Sequence, residues 1–283
     1  MKLVRFGSRG HEKPGLLTAT GRIKDCSAHV ADYGGAFFAE GGLERLGGLA
    51  AATETLPDIP AGARLGPPVA RPGNVYAIGL NYADHARETG AAIPTEPILF
   101  MKSTSAVCGP NDPILIPRGS EKTDWEVELG VVIGRNARYL ATKDAARDVI
   151  AGYCVANDVS ERAFQLEHGG QWSKGKSSDN FLPLGPWLVT ADEIADPQNL
   201  RLSLEVNGQT RQSGNTATMI FDVYQIVQYL SQFFTLEAGD VVITGTPPGV
   251  GMGMKPPMFL QAGDVVTLAI DGLGSQRCVC ENA

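Results

Sequence analysis

From residue 75 onward, short runs rich in apolar or β-branched residues follow one another, and they constrain the fold more than any other feature of the chain. They are VYAIGLNY, PILFMKS, EVELGVVIG, YCVANDVS, PLGPWLVT, LRLSLEVNGQTRQ, DVVITGT and DVVTLAID. Asn207-Gly208 divides one of them and is the strongest hairpin signal in the chain. In this part of the chain helices are few, and two stretches have helical spacing, residues 142–153 and 219–236. In the second, Met219, Val223, Ile226, Val227, Leu230 and Phe234 recur at the period of a core-packing helix. Many irregular strands with few helices argue against a regularly alternating α/β fold and predict a mainly β roll or sandwich decorated with helices.

Pro and Gly crowd together in ARLGPPVARPGN. The expected boundary falls there, with a small N-terminal unit of strands and an Ala- and Gly-rich helical stretch over residues 1–71 and a larger domain over 72–283.

The charge balance, 24 basic against 31 acidic residues for a net of −7, comes without a block of Lys or Arg that could track a phosphate backbone. Nucleic acid is excluded as a partner on that ground. The first residues lack the apolar core of a signal peptide, and no run of about 18 apolar residues follows. A soluble, cytoplasmic protein without membrane contact is expected. The five cysteines are too scattered for a disulfide framework. Cys278 and Cys280 have a spacing that suits a thiolate metal site, but no second pair supports one, and ordinary thiols are expected.

The chemistry is concentrated in DWEVELGVVIG, residues 124–134. Residues two apart on a strand share a face, so Glu126 and Glu128 are neighbours there. Like charges on one face of an apolar strand repel and resist desolvation. Two readings follow: the face is solvated, or a hard cation is bound. Asp158, which ends the run YCVAND, supplies a third carboxylate for such an ion. With neither His nor Cys in these motifs, magnesium, manganese or calcium is favoured over zinc.

Three further motifs carry candidates. In IGLNYADHARETG, His85 and Glu88 are three apart and meet if the segment is helical, with Asn81 or Asp84 as cap. The pair is either a general base for water or a surface contact. In QWSKGKSSDNF, Lys176 can reach a substrate carboxylate or a developing enolate, whereas Lys174 reads as a solvated loop lysine. In VVITGTPPGVGMG, Thr246 and nearby backbone amides leave a strand in a Pro- and Gly-shaped turn suited to close approach to an anion. Without the Walker pattern the turn does not imply a nucleotide.

Taken in order, GLNYADHARE, PILFMKSTSAVCGPND, DWEVELGVVIG, NDVSERAFQ, KGKSSDNFLPLGPW and ITGTPPGVG resemble the fumarylacetoacetate hydrolase family over nearly all of residues 72–283. The resemblance implies a mixed β-sandwich roll with a small N-terminal α+β domain, assembled as a homodimer or a dimer of dimers. It implies a divalent metal, usually Mg2+ with Mn2+ or Ca2+ as alternatives, on Glu126, Glu128 and Asp158. It further implies water activation by His85 and Glu88 on a mobile lid, catalysis by Lys176, and substrate contacts from Arg162, Gln165 and Thr246. Gly90 and residues 94–97 have the composition to flank such a lid. Within the family the chain looks most like the bacterial hydrolases of 2,4-diketo-3-deoxy-L-rhamnonate or -fuconate, relatives often labelled ureidoglycolate lyase. The implied partner is a small 2-oxo or 2,4-diketo acid. Ureidoglycolate cleavage, oxaloacetate decarboxylation or isomerisation on the same site, and a non-catalytic small-molecule-binding protein, are the alternatives.

Overall fold

The computed structural model describes residues 1–50, 52–88, 90 and 92–283. Among them a ten-stranded sheet and a five-stranded sheet dominate, with short helices at the connections, as the runs of short strands predict. The large sheet runs, in spatial order, Ile23–Asp25, Lys13–Leu17, Lys2–Phe6, Leu188–Thr190, Ile150–Asn157, Val127–Ile133, Val241–Ile243, Val75–Gly79 and Ile98–Lys102, with Leu65–Gly66 also paired to Lys2–Phe6. Strands from the first 71 residues thus continue the sheet that holds the central strands. Lys2–Phe6 reaches it by antiparallel pairing with Leu188–Thr190.

Val127–Ile133 and Ile150–Asn157 are buried along their whole length. They read as continuous apolar runs because both faces of the sheet are covered at its centre. Their antiparallel register sets Val127 opposite Asn157 and Glu128 opposite Ala156. The register therefore brings Glu126 opposite Asp158, whose amide donates to the Glu126 carbonyl at 2.9 Å.

The smaller sheet orders Gln209–Asn215, Arg201–Val206, Val265–Ile270, Gly274–Asn282 and Ile114–Ile116. Its first two strands form the predicted hairpin. Val206 pairs with Gln209 across Asn207 and Gly208, both at positive φ (53° and 73°), as a type I′ turn requires.

Both expected helices form but are shorter. The first is Lys143–Arg147, and residues from Ile150 onward join the sheet, where Ile150 pairs with Ile133 across a bulge. The second is Val223–Leu230, buried through Val223, Ile226, Val227 and Leu230. Asp222 caps it by accepting from the Gln225 amide at 2.7 Å. Upstream, Met219 is bridged to Tyr82 and the Ile220 amide is taken by the Asn81 carbonyl, so the helix cannot start earlier. The five cysteines are free and buried, and burial pushes the Cys278 and Cys280 thiols up to about 12. No helix among the described residues is long and apolar enough to cross a membrane.

Candidate active site

Glu126, Glu128 and Asp158 converge because one precedes and one lies within the strand Val127–Ile133, while the third follows the strand paired with it. Each offers an oxygen within 4.8 Å of the others. Their exposures of 5, 2 and 1 % exclude the solvated strand face. They line a cavity of about 170 Å³ together with His85, Arg162, Gln165, Lys176 and Thr246, so all nine predicted residues but Glu88 contribute to one wall or another.

Buried carboxylates require compensating charge. Lys176, in the short helix Ser173–Lys176, donates from Nζ to Glu126 Oε2 and to Asp158 Oδ2, both at 2.7 Å. Lys102, in Ile98–Lys102, reaches Asp158 Oδ1 at 2.5 Å and the Val159 carbonyl at 3.2 Å. Arg162, at the start of the helix Arg162–Leu166, lies 2.7 Å from Glu126 Oε1 and bonds Asp124 Oδ2 through Nε at 2.9 Å. Its Nη1 donates to Gln165 at 3.1 Å. Burial alone opposes ionisation of Glu126, but Lys176 and Arg162 outweigh it and hold the carboxyl well below its ordinary range.

Glu128 differs. It accepts from the Gly245 amide at 2.7 Å, and among the described residues no cation forms an ion pair with it. Burial, then repulsion from Asp158 and Glu126, pushes its carboxyl well above the ordinary value. Four buried carboxylates, those of Asp124, Glu126, Glu128 and Asp158, face three buried cations, Lys102, Arg162 and Lys176. The uncompensated charge lies at Glu128. An all-oxygen donor set of this spacing fits a hard divalent ion, since two oxygens sharing one ion are separated by at most about twice a metal–oxygen distance of 2.0–2.6 Å.

His85 and Glu88 belong to the helix Ala83–Glu88 and meet as their spacing predicts, Nδ1 lying 3.2 Å from Glu88 Oε2. Asn81 does not cap this helix. Its amide bridges the Phe221 and Thr244 carbonyls at 3.0 and 2.7 Å and fixes the segment to the strand end beyond Val241–Ile243. Lys174 is exposed, as expected.

The turn after Val241–Ile243 does bring its amides to anions, but the anions are the protein's own. Gly245 serves Glu128. Gly249 serves Glu88 at 3.0 and 3.1 Å, while Gly251 and Met252 serve Asp124 at 2.7 and 3.0 Å. The Thr246 hydroxyl donates to the Val127 carbonyl at 2.9 Å and accepts from Gln212 at 2.7 Å. Three carboxylates of the site are thereby fixed by one connection.

Asp124 and Lys102 were missed in the sequence. Asp124 continues the alternation of Glu126 and Glu128, and Lys102 alternates with Phe100 on its strand; period two marks both.

The model described as fumarylacetoacetate (FAA) hydrolase C-terminal matches residues 74–280. A Burkholderia ambifaria protein carrying only a provisional hydrolase name is 58% identical over 286 residues, covering 100% of both chains. Among solved structures, the fumarylacetoacetate hydrolase of Exiguobacterium antarcticum shares 37% identity at a TM-score of 0.87, covering 100% of both chains. Maleylpyruvate hydrolase from Sphingobium sp. SYK-6, solved with manganese(II) and pyruvate, shares 29% identity at a TM-score of 0.83, again over 100% of both.

Proposed function

This chain belongs to the fumarylacetoacetate hydrolase family, and from that premise we propose that it hydrolyses the carbon–carbon bond between C3 and C4 of a 2,4-diketo acid. The substrate we assign is 2,4-diketo-3-deoxy-L-rhamnonate or -fuconate, cleaved to pyruvate and L-lactate. The observation that carries the reading is the charge arrangement: one uncompensated carboxylate, Glu128, beside Glu126 and Asp158 in a cavity also lined by His85, which Glu88 backs. A divalent ion held there would offset the charge of Glu128 and supply a positive centre for the carboxylate of the acid.

Glu126, Glu128 and Asp158 would hold the ion, which supplies Lewis-acid polarisation of the 2-oxo acid. The Glu88 carboxylate takes the Nδ1 proton of His85 in a hydrogen bond and makes Nε2 the basic nitrogen. His85 removes a proton from water as the water oxygen bonds to C4. The C3–C4 bond then breaks, its electron pair passing into the enolate of pyruvate while C4 leaves as the carboxyl of the second acid. Protonation at C3 completes pyruvate. Lys176 uses two N–H groups on Glu126 and Asp158 and keeps its third for the enolate oxygen. Arg162, Gln165 and Thr246 bind substrate in this scheme, and the assembly is a homodimer or a dimer of dimers, which light scattering on the purified protein tests.

The test is pyruvate release from 2,4-diketo-3-deoxy-L-rhamnonate, acetylpyruvate and oxaloacetate, each with and without Mg2+. Magnesium-dependent release strongest from the sugar acid supports the assignment. Preference for oxaloacetate reassigns the chemistry to decarboxylation, which needs no activated water.

A further inference from the structure

The cavity has two kinds of wall. The carboxylates and their cations occupy one. The other is apolar: Ile78 and Leu80 at the end of the strand Val75–Gly79, Phe100 on the neighbouring strand, Leu166, Trp172 and Met252. The two adjoin at the Phe100 ring, whose centroid lies 5.2 Å from Lys176 Nζ. Trp172 packs edge-on against the same ring, with centroids 5.5 Å apart. Gly79 lets the indole come this close, because a Cβ there would sit 2.6 Å from its Cζ3 atom.

Polar atoms on this wall are few. The side chains offer one indole N–H, which only donates, and one thioether, a weak acceptor. A substrate hydroxyl resting there gives up water for no side-chain acceptor better than that thioether. An alkyl group loses nothing.

Resting on the proposed function, we infer that this wall receives the end of the substituent beyond C4, and that it selects acids ending in an alkyl group over those ending in hydroxymethyl. The sugar acid assigned above, 5-hydroxy-2,4-dioxohexanoate by its systematic name, ends in such a methyl group, and the wall extends the preference to terminal-deoxy 2,4-diketo acids as a class. Phe100, Trp172 and Leu166 set the selection, with Gly79 fixing the position of Trp172. A hydroxyl added where an apolar wall stands is rejected by tenfold to about a hundredfold.

The experiment is a matched pair, 5-hydroxy-2,4-dioxohexanoate against 5,6-dihydroxy-2,4-dioxohexanoate, with acetylpyruvate as the member that has no group to select. Pyruvate release is read as kcat/KM at saturating Mg2+. The wild-type protein is expected to favour the first acid by tenfold or more. In Leu166→Gln, at a residue 46 % exposed, a new acceptor is expected to narrow the ratio severalfold; the ratio is internal to each protein, so a change in folded fraction cancels. Equal cleavage of the pair by the wild type overturns the inference and leaves the hydrolase reading standing. A large wild-type ratio that Leu166→Gln leaves unchanged overturns the assignment to this wall. Pyruvate from none of the three acids overturns the hydrolase reading and the inference with it.

Discussion

Lys176 Nζ stands 2.7 Å from both Glu126 Oε2 and Asp158 Oδ2, so a single ammonium group bridges two of the three clustered carboxylates. Removing it leaves the cluster more negative. Lys176→Met is expected to lower turnover about a hundredfold through the lost donor. The same change tightens binding of a divalent ion by about tenfold, because a repelling charge is gone. Calorimetric titration with Mn2+ beside steady-state rates checks both signs, and weaker Mn2+ binding in the variant contradicts the charge argument.

Neighbouring glutamates are expected to respond oppositely to the same substitution. Glu126→Gln removes the carboxylate that Arg162 and Lys176 share and leaves these buried cations only Asp124 and Asp158, a cost of about 3 kcal/mol or more in the metal-free protein. Glu128→Gln keeps an acceptor for the Gly245 amide and replaces a carboxyl whose ionisation burial, Asp158 and Glu126 already oppose, so the metal-free protein is no less stable. Urea unfolding in the presence of a chelator separates the two. Both variants are expected to lose metal binding, read by the same Mn2+ titration.

The raised carboxyl of Glu128 fixes a pH dependence. Above the ordinary value of 4.5, the unfolded chain has released this proton while the metal-free native protein still holds it. Native stability from this group is therefore fully present below 4.5 and is lost as pH rises toward the raised folded value. Glu128→Gln is expected to flatten that decline. A divalent ion held by Glu128 would take the place of this proton, so Mg2+ titrations in buffers of different ionisation heat are expected to show proton release.

His85 and Glu88 are not among the clustered metal candidates, which makes their effects separable. His85→Ala is expected to lower turnover by a hundredfold or more while Mn2+ binds as to the parent. Glu88→Gln keeps an acceptor for the Gly249 amide but loses the charge beside Nδ1, so a smaller loss of rate is expected. Full activity in His85→Ala removes the pair from the mechanism.

Gly175 touches the backbone of the preceding helix: a Cβ there would meet the Glu161 carbonyl and the Gln165 amide at 2.4 Å. Gly175→Ala therefore has to displace Lys176 from its carboxylates. Destabilisation of about 1–3 kcal/mol is expected, with a rate loss that Mg2+ does not restore, measured by thermal melts and turnover at saturating metal.

The acidic cluster was legible because strand periodicity is local. Glu126 and Glu128 share a face wherever their strand pairs, and His85 meets Glu88 once a single helical turn forms. What pairs with what is not local. Only the register of Val127–Ile133 against Ile150–Asn157 decides that Asp158 lies opposite Glu126, and nothing near Lys102 in sequence announces Asp158 as its partner. Composition marked the turn of Gly245 to Met252 as an anion-binding place without revealing that Glu88, Asp124 and Glu128 occupy it. Helix lengths were overread where competing pairings, of Ile150 with Ile133 and of Met219 with Tyr82, claimed residues whose spacing suited a helix.

Pairing of Lys2–Phe6 with Leu188–Thr190 has a practical consequence for anyone who would trim this protein. Cutting the chain near residue 72 would strip Leu188–Thr190 of one neighbour and bare its hydrogen-bonding edge two strands from Val127–Ile133. An open, apolar edge of that kind recruits strands from other molecules. A shortened form is thus expected to self-associate, and inactivity in such a preparation would report on the exposed edge rather than on any catalytic part played by the removed residues.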